Sequence, residues 1–338
     1  MTRQPGGRMD YHTLSGTGLR VSRICLGTAS FGVAPTEDDT TALVRGALDA
    51  GINFIDTASS YGNQSRFDRE GVLPAVDRQS AETLVGRAIA GRRDEVVLAT
   101  KVAEAIGTGP NDGGSLGGGL SRAHIMRLVE RSLKRLGTDY IDIYYAHHPD
   151  PVTHIDEWIR AFDDLITQGK IRYYALSTFA GWQLTEAVLA AARMGATRPA
   201  CHQTRYSVAK RWPESEVLPA SNHLGIDTTV FSPLGGGLLA GRTDRRYAGD
   251  ARWGARSYSE SELALGGSFS SHARSWGIPE NHLAVAWLLS KPGVASAIVG
   301  PESVAELNEL TGSSTLRLTS EQVAAVDELA PPLPGQWD

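Results

Sequence analysis

Four side chains in the first half of this 338-residue chain have the types and order for proton chemistry at a carbonyl oxygen. The stretch INFIDTASSYG at 52–62 ends an apolar run in Asp56 and places Tyr61 five residues later. VVLATK (96–101) ends in Lys101, and YYAHHPD (144–150) carries His147. A phenol has a reference pKa of about 10 and holds its proton at neutral pH. A nearby ammonium favours the phenolate and makes the phenol a better acid, and a carboxylate anchors that ammonium. A carbonyl that receives a hydride needs a proton donor at its developing oxyanion. Tyr61 therefore reads as donor, Lys101 as tuner, Asp56 as anchor and His147 as the group that orients a substrate oxygen. Taken singly, each has a plainer role: a helix cap, a rim aromatic, a surface lysine, a satisfied core histidine. Their placement at the ends of successive strands is what argues for a site.

The elements that must position them alternate regularly. Strands are expected at 21–27, 52–56, 95–101, 140–147, 171–178, 200–204, 226–234 and 294–300. Helices are expected at 36–51, 80–91, 121–137, 154–170, 181–195, 215–225, 280–293, 303–310 and 319–330. Thr36, Ser80 and Ser121 read as N-caps, and Gly51 and Gly137 as C-terminal stops. Eight strands alternating with helices predict an α/β fold, a closed (β/α)8 TIM barrel, whose strand C-termini share one mouth. An open doubly wound sheet would want G-x-G-x-x-G after the first strand, and LGTASFG (26–32) does not match it. One domain is expected over 11–330, with irregular termini at 1–10 and 331–338. Three segments break the rhythm, at 62–79, 102–120 and 241–278, and all three follow strands and so overhang the mouth.

Composition narrows the function classes. Lys and Arg number 33 against 38 Asp and Glu, a formal charge of −5, and no basic run forms a nucleic-acid footprint. Cys25 and Cys201 make no disulfide framework, which points to a reducing cytoplasm. The first residues lack the apolar stretch of a signal peptide, and no run of about 18 apolar residues is present to span a membrane. No His/Asp/Glu set has metal-ligand spacing along the chain, so no metal is expected. A homo-oligomer is compatible with the sequence.

With these motifs in order, the chain resembles the aldo-keto reductase superfamily over roughly residues 11–330. The resemblance is carried by SRICLGTASFG (22–32), INFIDTASSYG (52–62), VVLATK (96–101), GTGPNDGGSLGGGLSRAHI (107–125), SLKRLGTDYIDIYYAHHPD (132–150), GKIRYYALSTF (169–179), HQTRYSV (202–208), FSPLGGGLLAGR (231–242) and AWLLSKPGVASAIVGPESVAELNEL (286–310). It implies a (β/α)8 barrel that moves a hydride between a nicotinamide cofactor, NADP(H) or NAD(H), and a small carbonyl or sugar-like substrate. It implies that Asp56, Tyr61, Lys101 and His147 form the catalytic tetrad. His148 is expected to point the other way by strand alternation. Gly27 and Thr28 would lie near the nicotinamide, Ser177, Thr178 and Gln203 at its carboxamide, and Tyr206 would stack on its ring. Ser232, Leu234, Gly235, Gly237, Leu238 and Arg242 would wrap the pyrophosphate, and Gly300, Glu302, Ser303 and Glu306 would meet the adenosine end.

Two departures carry expectations. Members of the family commonly read the 2′-phosphate of NADPH with basic residues after the last strand, where this chain has Glu302, Glu306 and Leu310. A carboxylate repels a phosphate and accepts from a ribose hydroxyl, so NAD(H) is expected to serve at least as well, unless Arg245 and Arg246 reach over. The insertion at 62–79, with Phe67, Val72, Leu73 and Pro74, is expected to act as a lid or pocket wall, and with Trp182, Trp253 and Trp337 to suit a bulky substrate. The competing class is a cofactor-binding module with little turnover, of the channel-associated β-subunit or redox-sensing kind.

Overall fold

A computed structural model of the chain describes residues 9–68, 70–105, 119–241 and 258–330. Ten strands and ten helices order the described chain. β1 (Tyr11–Thr13) and β2 (Arg20–Ser22) pair antiparallel as a hairpin. β3 (Ile24–Gly27), β4 (Phe54–Asp56), β5 (Val97–Val102), β6 (Ile141–Ala146), β7 (Ile171–Ser177), β8 (Cys201–Arg205), β9 (Asp227–Phe231) and β10 (Val294–Val299) close in that order into a parallel barrel, β10 pairing back onto β3. Around it run α1 (Glu37–Asp49), α2 (Ala81–Ala88), α3 (Arg122–Leu136), α4 (Ile155–Thr167), α5 (Gly181–Met194), α6 (Val217–Leu224), α7 (Glu260–Ser275), α8 (Glu280–Ser290), α9 (Val304–Thr311) and α10 (Ser320–Leu329). The expected (β/α)8 barrel is thus present.

Local chemistry explains the boundaries. The side chains of Thr36, Ser80 and Ser121 each accept from the backbone N–H three residues on, which satisfies a donor the helix leaves open. Gly137 and Gly195 end α3 and α5 in the left-handed conformation that suits glycine.

Period-two alternation divides the barrel into two packed surfaces. Cys25, Phe54, Ala99, Ile143, Tyr145, Ala175, Cys201 and Ala295 fill the interior, where the Tyr145 hydroxyl meets Cys201 Sγ at 3.1 Å. Both cysteines are buried and free. Leu26, Ile55, Leu98 and Tyr144 face the helices.

The structure revises three expectations. The strand expected at 21–27 is two strands broken at Arg23, whose N–H donates to Asp10 and whose guanidinium donates to the carbonyls of Leu289 and Val294. Its first half joins the hairpin that floors the barrel, with Leu14 and Val21 fully buried against the interior. The irregular stretch 241–278 contains α7, hidden in the sequence by two glycines and five serines and set by a Ser259/Glu262 capping box. Segment 62–79 is pinned by the buried Arg78 guanidinium, which donates to the carbonyls of Gly62, Gln64 and Leu73 and to Asp68. Phe67 packs with Val33 and Val72, and Leu73 stays exposed.

His202 stands on the helix-facing side of β8 and is fully buried. Burial pushes its imidazole down to about 4, against a weaker upward pull from the Phe179 backbone. An unfolded histidine titrates near 6.5. The folded ring therefore binds its proton less readily, so its contribution is whole above pH 6.5 and is lost as pH falls toward 4. Across that window the loss amounts to about 3 kcal/mol. Urea unfolding from neutral pH downward is expected to show this acid limb, and His202→Gln is expected to flatten it; an unchanged limb contradicts the assignment.

Candidate active site

Alternation also builds the site. Phe54, Ala99, Tyr145, Ala175 and Cys201 point into the barrel. Two residues further along their strands come Asp56, Lys101, Ser177 and Gln203, while His147 follows Tyr145 by two residues in the loop just past the end of β6. Each inward column thus exchanges its apolar layer for a polar group at the mouth. The register aligns Asp56 with Gly27 on one side and with Ala99 on the other.

Lys101 is fully buried, and its three N–H bonds are accounted for. Nζ donates to Asp56 Oδ2 at 2.5 Å, to the Thr57 carbonyl at 3.0 Å and to the Tyr61 hydroxyl at 3.4 Å. The second Asp56 oxygen accepts from Gln203 Nε2 at 2.9 Å. The Tyr61 and His147 rings meet edge to face at 5.8 Å. Gly62 keeps Tyr61 in its turn: a Cβ there would meet Ala81 N at 2.6 Å, and its φ of +93° is one glycine adopts freely.

The electrostatics correct one expectation. Burial pushes the Tyr61 phenol up, Lys101 pulls it back, and Asp56 and Glu104 push it up again, leaving its pKa above the ordinary value. The phenol is thus held against a cation without being made more acidic than a free one. Burial opposes the Lys101 ammonium, but Asp56 and Tyr61 outweigh that cost and raise its pKa. Burial lowers the pKa of His147 despite the opposing pull of Glu104.

A cavity of about 910 Å³ opens above this group. Of the residues predicted to touch cofactor or substrate, Gly27, Thr28, Asp56, Tyr61, His147, Ser177, Thr178, Gln203, Ser232, Leu234, Gly237, Gly300 and Glu306 line it. Lys101 lies just beneath. Gly235, Leu238, Glu302 and Ser303 stand behind the lining; Glu302 N–H donates to Glu306, and the Ser303 side chain caps α9. Arg242, Arg245, Arg246, Trp253 and Trp337 fall outside the described residues.

Tyr206 lies away from the cavity. It is fully buried, its hydroxyl donates to Glu214 at 2.6 Å, and its ring packs on Trp287. The aromatic in the wall is Phe231, the last residue of β9. Its position directly before SPLGGG was a signal the sequence offered. Among the described residues of segment 62–79, only Gln64 reaches the lining, so the wall expected from Phe67, Val72, Leu73 and Pro74 is not formed. Trp182 is exposed at the start of α5, beside Leu189, outside the cavity.

His148 was expected to face away, yet its ring stacks on His147 at 4.3 Å. β6 ends at Ala146, so both histidines sit in the loop beyond the strand, where alternation no longer applies. Glu104, from the segment after β5, meets both: its Oε1 is 2.5 Å from His147 Nδ1 and 3.5 Å from His148 Nε2. The set of three is invisible in the sequence because Glu104 is remote from the histidine pair along the chain.

Strain gathers at the same mouth. Thr178 and Ser232 hold φ of +63° and +57°, costly for residues with a Cβ. Ser177 Oγ and Ser232 Oγ are buried in the lining with no hydrogen-bond partner among the described residues.

A parallel eight-stranded barrel with an Asp–Tyr–Lys–His cluster under a large cavity at its C-terminal mouth defines an enzyme-like site class. The profile of the Aldo/keto reductase family matches residues 23–331, and the chain belongs to that family. The uncharacterized oxidoreductase YrpG of Bacillus subtilis is similar, 37% identical over 326 residues that cover 96% of each chain. The aldo-keto reductase YhdN of the same organism is 34% identical over 90% of this chain and 89% of its own. A probable voltage-gated potassium channel subunit beta of rice is 33% identical over 86% of this chain and 87% of its own. The protein is therefore an oxidoreductase of the aldo/keto reductase family. Among the described residues no helix is long and apolar enough to cross a membrane.

Tyr61 is the residue whose state is most easily read. The difference spectrum between the wild-type protein and Tyr61→Phe is expected to show no phenolate below pH about 10; a phenolate signal about one pH unit or more below that contradicts the upward shift.

Proposed function

We propose that this protein reduces an aldehyde, ketone or sugar carbonyl at the expense of a reduced nicotinamide cofactor, and runs the reverse reaction with an alcohol. The carrying observation is Tyr61: a half-buried phenol, 3.4 Å from an ammonium, on the wall of the mouth cavity.

The cavity fits such a cofactor. The partnerless Ser177 Oγ and the side chain of Gln203 stand together where a carboxamide finds donors and acceptors. Phe231 offers a flat face to a nicotinamide ring. Ser232, Leu234, Gly236 and Gly237 border the cavity where small residues let a diphosphate approach the backbone. When bound, the reduced nicotinamide supplies a hydride to the carbonyl carbon. Tyr61 Oη then gives its proton to the carbonyl oxygen. Lys101 stabilises the phenolate left behind, and Asp56 keeps Lys101 charged and in place. His147 holds the substrate oxygen near Tyr61.

NAD(H) is the better match for the far end of the cavity. Glu280, Glu306 and Glu309 line it, and among the described lining residues none is Lys or Arg. A 2′-phosphate there meets carboxylates, whereas a ribose hydroxyl donates to them.

One relative is named a potassium channel subunit beta, which favours a second reading as a cofactor-binding partner with little turnover. Turnover separates the two. A screen of aldehydes, ketones and sugars that follows reduced-nicotinamide absorbance is expected to find reduction that Tyr61→Phe slows by about 10²–10⁴ with cofactor affinity retained. Equal rates in the two proteins would overturn the reading. Cofactor titrations are expected to show NADH bound at least as tightly as NADPH; NADPH tighter by about tenfold, ~1.4 kcal/mol, contradicts the charge argument.

A further inference from the structure

We propose that Glu104, His147 and His148 form a Zn²⁺ site at the lip of the cavity, and that a bound ion silences the enzyme by occupying the lining beside His147, where the substrate oxygen would sit. The geometry carries this. One ligand atom from each of the three lies within 4.8 Å of the others. Two imidazole nitrogens and a carboxylate oxygen are the donor set of open zinc sites, in which a fourth position is left for water or substrate.

The hydrogen bonds around the set orient it toward a cation. Thr178 has one hydroxyl proton, and it goes to the His147 carbonyl at 3.0 Å. Its oxygen must then accept the Nδ1–H of His148, also at 3.0 Å. In the neutral ring this leaves the lone pair on Nε2, the nitrogen that faces Glu104 at 3.5 Å. Two acceptors facing each other call for a proton or a cation between them. The threonine is the outer partner that fixes a metal-binding histidine in one tautomer, and it does so from a strained backbone, φ +63°.

A second observation points the same way. His147 is 8% exposed, and its Nδ1 has no aligned hydrogen bond although Glu104 Oε1 is 2.5 Å away. Glu104 Oε2 is buried and likewise has no partner among the described residues. A Zn²⁺ ion needs ligands about 2.0–2.2 Å away, so modest rotations of the rings and the carboxylate are required. The nearest charges do not oppose it, because Asp56 already neutralises Lys101.

The silencing, though not the binding, rests on the role given to His147 above. The test is calorimetric titration of Zn²⁺ into the cofactor-free protein, with inhibition of carbonyl reduction measured beside it. About one equivalent is expected to bind, with inhibition reversed by a chelator. The His148 side chain is 52% exposed, so His148→Ala disturbs little of the core. His148→Ala and Glu104→Gln are each expected to weaken the binding at least about tenfold. Failure of wild-type protein to bind, or a smaller loss in either variant, overturns the site. Zinc binding in a protein without carbonyl reduction would leave the metal site standing and remove the reading of the tetrad; reduction without zinc binding would do the reverse.

Discussion

A buried ammonium must find acceptors or lose its proton, and Lys101 finds three. Removing such a charge from water costs several kcal/mol, and only a close counter-charge with every N–H satisfied offsets it. Asp56, the Thr57 carbonyl and the Tyr61 hydroxyl meet that demand. The same contacts fix where Tyr61 stands, because the phenol oxygen is the third acceptor. Positioning of the Tyr61 phenol and stabilisation of the buried charge are therefore one interaction. The barrel supplies the rest: closure puts β4 beside β5, and register puts Asp56 and Lys101 on inward columns one layer above packed apolar rings.

Much of this was legible in the sequence for a physical reason. Strand periodicity, N-caps and glycine stops are local, and so the barrel strands, most helices and the caps at Thr36, Ser80 and Ser121 can be read directly. The tetrad was legible because each member sits at or just past a strand end, and parallel strands bring such ends together. What depended on tertiary contacts was not. The floor hairpin looked like the start of a barrel strand because Arg23 breaks the run without a proline or glycine. α7 was masked by its serines and glycines. Tyr206 and Phe231 each end a strand-like run with an aromatic, and the closed barrel puts Phe231 on the cavity and Tyr206 away from it. The upward shift of Tyr61 needs burial, which a linear sequence does not display.

The mouth also shows how one scaffold separates two jobs. At the base of the cavity Asp56 and Lys101 are buried, and both are hydrogen-bonded, Lys101 also to the half-buried Tyr61. Its rim, with Glu104, His148, Glu280, Glu306 and Glu309, is acidic or titratable and exposed enough to meet what enters. In the proposed function the chemistry falls to the first and the choice of cofactor to the second, in keeping with the loop-borne specificity of parallel barrels.

The dependence of proton delivery on the buried pair is tested most directly by a single turnover. Reduced cofactor is bound to Asp56→Asn, an aldehyde is mixed in, and loss of reduced-nicotinamide absorbance is timed. The expected result is a rate at least about 100-fold below wild type at equal cofactor affinity. A rate within about threefold of wild type would show that Tyr61 delivers its proton without the Asp56–Lys101 pair, and would contradict the account.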